Sequence, residues 1–377
     1  MIRTKCEVCG NKTEKLAIPL DDYPLTETYL KRKSNTKFDQ KFVFCENCGH
    51  GQLENILPRE SLYSHKYKFR TSKSAGADKG SGFVYDYIIK NELYKKYKTV
   101  VDIGCNDGYL LYRLNEYFDK LIGVDPVLEE NWEDNKIKLY SDFIENVDLD
   151  LNDCLVITSQ VLEHLEYPKM FIKKLLERSN NNTRFIFAFP CLDMLVKDYR
   201  FDQVFHHHQN YFSKASIGEL LNILDAKITN TKINPHYWGT LLVDFKRHKN
   251  PKNKYPKLDS DMIMNSYNEF IHLCNNARTY LENNKNSKIY GYGANLQLPV
   301  LNYFIDGLDE SLEYVLDDDI DKDGLYVPTM NTQIKFASSI NLKGKHVIIM
   351  ASNFSKPILK NILSNKIEDV YCIFNKI

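Results

Sequence analysis

The stretch TVVDIGCNDGYLL, residues 99–111, reads as a buried strand running into a glycine-bearing turn and then a helix. Its first five residues are mostly apolar and β-branched, Gly104 and Gly108 let the backbone approach a ligand closely, and residues 109–114 carry apolar side chains at helical spacing. Such a turn is where nucleotide-like cofactors bind. Asp102 at the strand end and Asp107 in the turn would repel a bare phosphate, and they suit a ligand with an ammonium group and hydroxyls. Only the two glycines match the dinucleotide pattern GxGxxG. The turn is therefore expected to bind S-adenosylmethionine, with Asp102, Gly104, Cys105, Asn106, Asp107 and Gly108 lining it. A second strand at 120–124 ends in Asp125, placed about twenty positions on, where a carboxylate holds a ribose diol in such folds.

Strand and helix patterns alternate onward from this turn, as expected for a doubly wound α/β domain. A third strand at 138–140 leads to Ser141, Asp142 and Phe143, a carboxylate and a ring suited to the amino group and face of adenine. A fourth at 154–158 delivers Ser159, Gln160, Val161, Leu162, Glu163 and His164 to the carboxyl edge, where ligands bind in this architecture. A fifth at 184–189 and two more at 227–232 and 241–245 give the domain an antiparallel edge. Between them lies FDQVFHHHQNYFS, residues 201–213. Three consecutive histidines are not expected all to face a core. They point in different directions and lack the spacing of paired metal ligands, so a general base near neutrality is preferred to a metal site.

The 377 residues suggest two or three domains, and 43% hydrophobic content is ample for their cores. Fifty basic and fifty acidic side chains leave no net charge, so no global field draws nucleic acid or anionic lipid. No apolar run reaches membrane-spanning length and the first residues lack a signal-peptide core, so a cytoplasmic protein is expected, a monomer or small homo-oligomer. Cys6 and Cys9, with Cys45 and Cys48, form two CxxC knuckles each followed by glycine. Four thiolates fit a closed structural zinc site, ahead of rubredoxin-like iron or redox disulfides. The segment between the knuckles has no dense basic face, which argues against nucleic acid. Residues 57–82 read equally as a linker or as a segment laying tyrosines over a neighbouring site.

The composition at 250–259 reads as a second linker. A long amphipathic helix at 261–284 follows, then a strand entering the turn GYGA, residues 291–294, and strands at 312–316, 346–350 and 370–374. That turn suits either a phosphate or tight strand-to-helix packing. Asp319, Asp321, Asp323 and Gly324 imitate a calcium loop, but Met330 stands where its glutamate is needed, leaving an acidic turn. The chain thus divides into a zinc-binding domain and lead-in at 1–70, an S-adenosylmethionine-binding α/β domain at 71–249, and a linker, helix and second α/β domain at 250–377.

This order of zinc knuckles, VDIGCNDG turn, FDQVFHHH element and final GYGA domain resembles the nucleotide-sugar C-methyltransferase family over nearly the whole chain. The resemblance implies a zinc-binding amino-terminal domain, a central class I S-adenosylmethionine-dependent methyltransferase domain of Rossmann-like fold and a carboxyl-terminal Rossmann-like α/β domain, with the sugar nucleotide near their junctions. It implies methylation of the carbon next to the ketone of a nucleotide-linked keto sugar, for a surface polysaccharide or a glycosylated metabolite. His208 then matches the base that forms the enolate, His207 stands where glutamate is expected, and Phe205 stands where tyrosine often is. His164 matches a further active-site histidine, and Tyr67 and Phe69 fall near an active-site tyrosine. Methylation of a sugar hydroxyl, with His207 and His208 deprotonating oxygen, is the second possibility, and an inactive zinc-ribbon scaffold the third.

Overall fold

Three sheets organise the chain. The computed structural model describes all residues except 14–15, 27–28, 59–61, 63–69, 236, 365–366 and 375–377, so Tyr67 and Phe69 lie outside the described residues. The first sheet takes β1 (Leu16–Pro24), β2 (Lys37–Cys45) and β3 (His50–Leu53) from the amino-terminal segment. Its fourth strand, β10 (Asn210–Tyr211), comes from the histidine-bearing segment and pairs antiparallel with β3, Asn210 against Gln52 and Tyr211 against Gly51.

The central sheet holds β4 (Thr99–Ile103), β5 (Lys120–Val124), β6 (Trp132–Glu133), β7 (Ile137–Tyr140), β8 (Leu155–Ser159), β9 (Arg184–Pro190), β11 (Ala226–Asn234) and β12 (Thr240–Arg247). Their order across the sheet is β11-β12-β9-β8-β4-β5-β7-β6. Strands β7, β5, β4, β8 and β9 run parallel, and β12 inserts antiparallel between β9 and β11. Separate apolar clusters cover the two faces of this sheet, which is why its parallel strands read as unbroken apolar runs. The carboxyl ends of β4, β5, β7 and β8 therefore share one edge, and the turns leaving them build the site.

The third sheet, β15-β14-β13-β16-β17, is wholly parallel: β13 (Ile289–Tyr292), β14 (Leu312–Asp317), β15 (Ile334–Phe336), β16 (His346–Ile349) and β17 (Asp369–Cys372). Its GYGA turn packs rather than cradles. Gly293 has φ +106°, and a Cβ there would stand 2.3 Å from that of Ala351. The Ala294 amide donates to Asp317, while Tyr29 and Lys322 donate to the Ala294 carbonyl. The helix Ser260–Asn283 joins this unit to the first: Phe270 and Leu298 share one apolar cluster with Leu20, Tyr23, Phe42 and Phe44. Among the described residues no helix is long and apolar enough to cross a membrane.

Candidate functional site

The turn after β4 is tight because nothing larger than glycine fits it. Gly104 adopts φ +78°, and a Cβ there would meet Val161 Cγ2, on the turn after β8, at 2.2 Å. Asp125, closing β5, accepts the Asn106 amide on one oxygen and the Val127 amide on the other, both at 2.8 Å. Each oxygen keeps a lone pair for a diol. The side chains of Asn106 and Asp107 accept the Thr71 and Ser72 amides at 2.9 and 3.1 Å, so the lead-in segment lies across the turn. Cys105 contributes backbone only, because its thiol is turned into the core beneath Gly123. Asp142 accepts the Phe143 amide at 2.7 Å, and the Phe143 ring is 43% exposed beside it. Gln160, held at φ +58°, donates its side-chain amide to Thr240 Oγ1 at 3.3 Å.

Charge in this turn is under-compensated. Burial, then the neighbouring Asp125, pushes the Asp102 carboxyl up to about 7. Burial also raises Asp125, against the two amides that stabilise its ionised form. One oxygen each of Asp102 and Asp107 is buried without a hydrogen-bond partner. These acceptors fit S-adenosylmethionine, which offers an ammonium, a sulfonium and ribose hydroxyls. A bound cation favours ionised Asp102, so binding below about pH 7 should release a proton. Affinity is then expected to weaken by up to about tenfold per pH unit as pH falls through that value. Calorimetry in buffers of different ionisation enthalpy measures this release, and an affinity flat across neutrality would contradict it.

The histidines correct the sequence expectation, since His206, His207 and His208 are all buried. They lie in an irregular loop between packed units, so each enters a different environment. His206 donates Nε2–H to the Tyr23 carbonyl and accepts from Gln40, both at 3.2 Å. His207 donates Nε2–H to the Leu62 carbonyl at 2.8 Å, and its Nδ1 lies 3.4 Å from Thr26 Oγ1, which turns it towards the first sheet. His208 packs with its ring centroid 4.2 Å from that of Phe205, 5.0 Å from His164 and 5.5 Å from Trp238. Burial, reinforced by His164 and His207, holds it well below the usual imidazole range, so it is neutral at neutral pH.

Two bonds tie this loop to the turn after β8. His164 donates Nδ1–H to the His207 carbonyl at 2.9 Å, and the Gln209 amide donates to the Glu163 carbonyl at 2.7 Å. Glu163 and Trp238 are site neighbours that the sequence reading missed. Glu163 was visible only as one of several residues delivered to the carboxyl edge, and Trp238 carried no signal.

The four cysteines converge, with Cys6 Sγ 3.6 Å from Cys48 Sγ and Cys9 Sγ 3.6 Å from Cys45 Sγ. Four bonds of 2.3 Å to one tetrahedral ion set about 3.8 Å between sulfurs, whereas a disulfide needs about 2.05 Å. The set fits zinc, which would be held by all four thiolates with no open position. Gly49, next to Cys48, accepts the Ser213 hydroxyl at 2.8 Å, and Ser213 caps the helix Lys214–Ile223. The knuckle therefore holds the chain just beyond the strand that follows His208, and β3, which leaves the knuckle, pairs with that strand.

An antiparallel strand inserted near one edge of a parallel sheet, and an acidic glycine turn after its central strand, mark a methyltransferase-type α/β domain, here joined to a four-cysteine module. Residues 77–230 match the family model of a methyltransferase domain and residues 6–63 that of a zinc binding domain. The chain is similar to the C-methyltransferase NovU of Streptomyces niveus, 21% identical over 251 residues that cover 63% of this chain and 60% of NovU. It is also similar to tRNA U34 carboxymethyltransferase of Campylobacter lari, 30% identical over 115 residues, 28% of this chain and 39% of that protein. The matches thus span less than two thirds of either relative. Among solved structures, 1,6-didemethyltoxoflavin-N1-methyltransferase of Burkholderia thailandensis is similar at TM-score 0.41 and 12% identity, over 56% of this chain and 96% of that one.

Proposed function

We propose that this protein transfers a methyl group from S-adenosylmethionine to the carbon next to the ketone of a nucleotide-linked keto sugar. The observation that carries this reading is His208, a neutral imidazole bound through its loop to the carboxyl edge that also bears the cofactor turn. The similarity to a C-methyltransferase supports carbon as the acceptor.

Asp102 and Asp107 would hold the cationic amino-acid end of the methyl donor, Asp125 its ribose diol, and Asp142 with Phe143 its adenine. When bound, the donor supplies an electrophilic methyl group. Carbon beside a ketone becomes nucleophilic only after losing a proton, so the protein must supply a base within hydrogen-bond reach. His208 takes that proton. His164, in edge contact with the His208 ring, orients the base or stabilises the enolate oxygen. His207, turned to Leu62, acts on the loop rather than on the sugar. The segments 1–70, 71–249 and 250–377 divide the work into metal-held support, methyl transfer and sugar-nucleotide binding.

Incubation with S-adenosylmethionine and a panel of 4-keto sugar nucleotides tests the reading by mass spectrometry. One member should gain a single methyl group, and a panel left wholly unmodified would refute it.

A further inference from the structure

The turn after β8 carries a group that the reaction above leaves unused. Glu163 is 1% exposed, and neither of its carboxyl oxygens has a hydrogen-bond partner. A carboxylate buried without donors is unfavourable, so Glu163 keeps its proton in the ligand-free protein, and burial pushes it up to about 8. The groups facing it are imidazoles. Its Oε1 lies 3.9 Å from His164 Nε2, and a ring nitrogen of His208 falls within 4.8 Å of a Glu163 carboxyl oxygen and of a His164 ring nitrogen. Because His164 donates Nδ1–H to the His207 carbonyl, its Nε2 is the acceptor on the side of the carboxyl. His208 Nδ1 is also buried without a partner. Of the other titratable groups on the elements packed here, His207 is engaged by Leu62, and Arg3 by the carbonyls of Glu166 and Gln209.

We propose that Glu163 is the positioning residue of the His164 and His208 pair, a buried carboxyl that stays protonated beside two neutral imidazoles at rest and becomes the counter-charge when His208 is protonated. The proposal deepens the assignment of His208 as base and rests on it. The proton count closes. As the substrate C–H bond breaks, the His208 N–H bond forms, and the Glu163 O–H bond breaks with its proton leaving to solvent. After turnover the His208 proton returns to Glu163, so each cycle releases the one proton that replacing C–H by C–CH₃ requires. A divalent ion is the competing occupant of the three groups. Two bonds of about 2.1 Å to one tetrahedral ion would set about 3.4 Å between donor atoms, shorter than the 3.9 Å between Glu163 and His164.

The test uses the zinc-loaded full chain with Glu163→Gln and Glu163→Asp, read by ring-nitrogen NMR of the histidines against pH without substrate. Exchange of a keto sugar nucleotide's α-proton into deuterated solvent is the second readout. The wild type should show a step in the His164 and His208 signals as Glu163 ionises, absent in E163Q and retained in E163D. E163Q should slow exchange by about tenfold or more with KM within about twofold, and E163D should restore part of the rate. Identical histidine titrations in wild type and E163Q overturn the proposal. So does a second equivalent of bound metal per chain that E163Q loses. If E163Q fails to fold, E163D decides: a retained step with slowed exchange supports the role, and unchanged exchange overturns it. A Glu163-dependent step in a protein that exchanges no keto sugar leaves the coupling standing and removes the base assignment, so the two failures are distinguishable.

Discussion

Replacing His208 with alanine is expected to slow exchange of the ketone's α-proton with deuterated solvent by about 10²-fold or more, while S-adenosylmethionine affinity stays within about twofold. The two effects separate because His208 lies on the loop before β10, whereas the carboxylates of the cofactor turn close β4 and β5 and follow them. Alanine also removes packing against Phe205 and Trp238, so the rate alone would confound chemistry with a disturbed loop. His208→Gln resolves this. Its side chain fills much of the same space and keeps polar atoms but cannot take up a proton near neutral pH. Equal loss in both variants identifies proton removal as the missing step. Unchanged exchange in either, with the fold intact, would remove His208 from the reaction.

The second large effect is expected from the metal. A structural zinc site contributes about 10–16 kcal/mol of apparent binding free energy, comparable with the whole stability of a domain. Cys48→Ser, or chelation, should therefore lower the melting midpoint by roughly 10 °C or more. It should also abolish α-proton exchange, although no cysteine of the set belongs to the proposed base. The route is short. Cys48 and Gly49 lead directly into β3, β3 pairs with β10, and β10 begins two residues after His208. Ser213, which caps the next helix, is held by the Gly49 carbonyl. A metal-free protein that melts and exchanges like the wild type would show the module to be a mere appendage.

Strands β4 and β5 were legible because a parallel sheet buried on both faces keeps its residues apolar throughout. The cysteine set was legible because two CxxC pairs are local patterns. Strands of the zinc module were not. β1 mixes Pro19, Asp21, Asp22 and Pro24 with Ile18, Leu20 and Tyr23, and its register shifts between Leu20 and Tyr23. β10 is two residues long, and its partner lies far back in the chain. The site divides the same way. Carboxylates around the turn after β4 follow from short-range spacing, whereas what each histidine faces is decided by packing between distant segments. His206 reaches the first sheet, His207 reaches Leu62, and His208 reaches the turn after β8. Glu163 was legible only as one of several residues at the carboxyl edge, because its burial without a partner is decided by the tertiary fold.

Carbon methylation of a keto sugar is the claim on which these expectations converge. It is tested most directly by the NMR spectrum of the product formed from methyl-labelled S-adenosylmethionine and a 4-keto sugar nucleotide. The predicted result is a labelled methyl bonded to a ring carbon next to the ketone, with that carbon's proton lost. A labelled methyl on oxygen, or no transfer to any keto sugar nucleotide while the donor is bound, would contradict it.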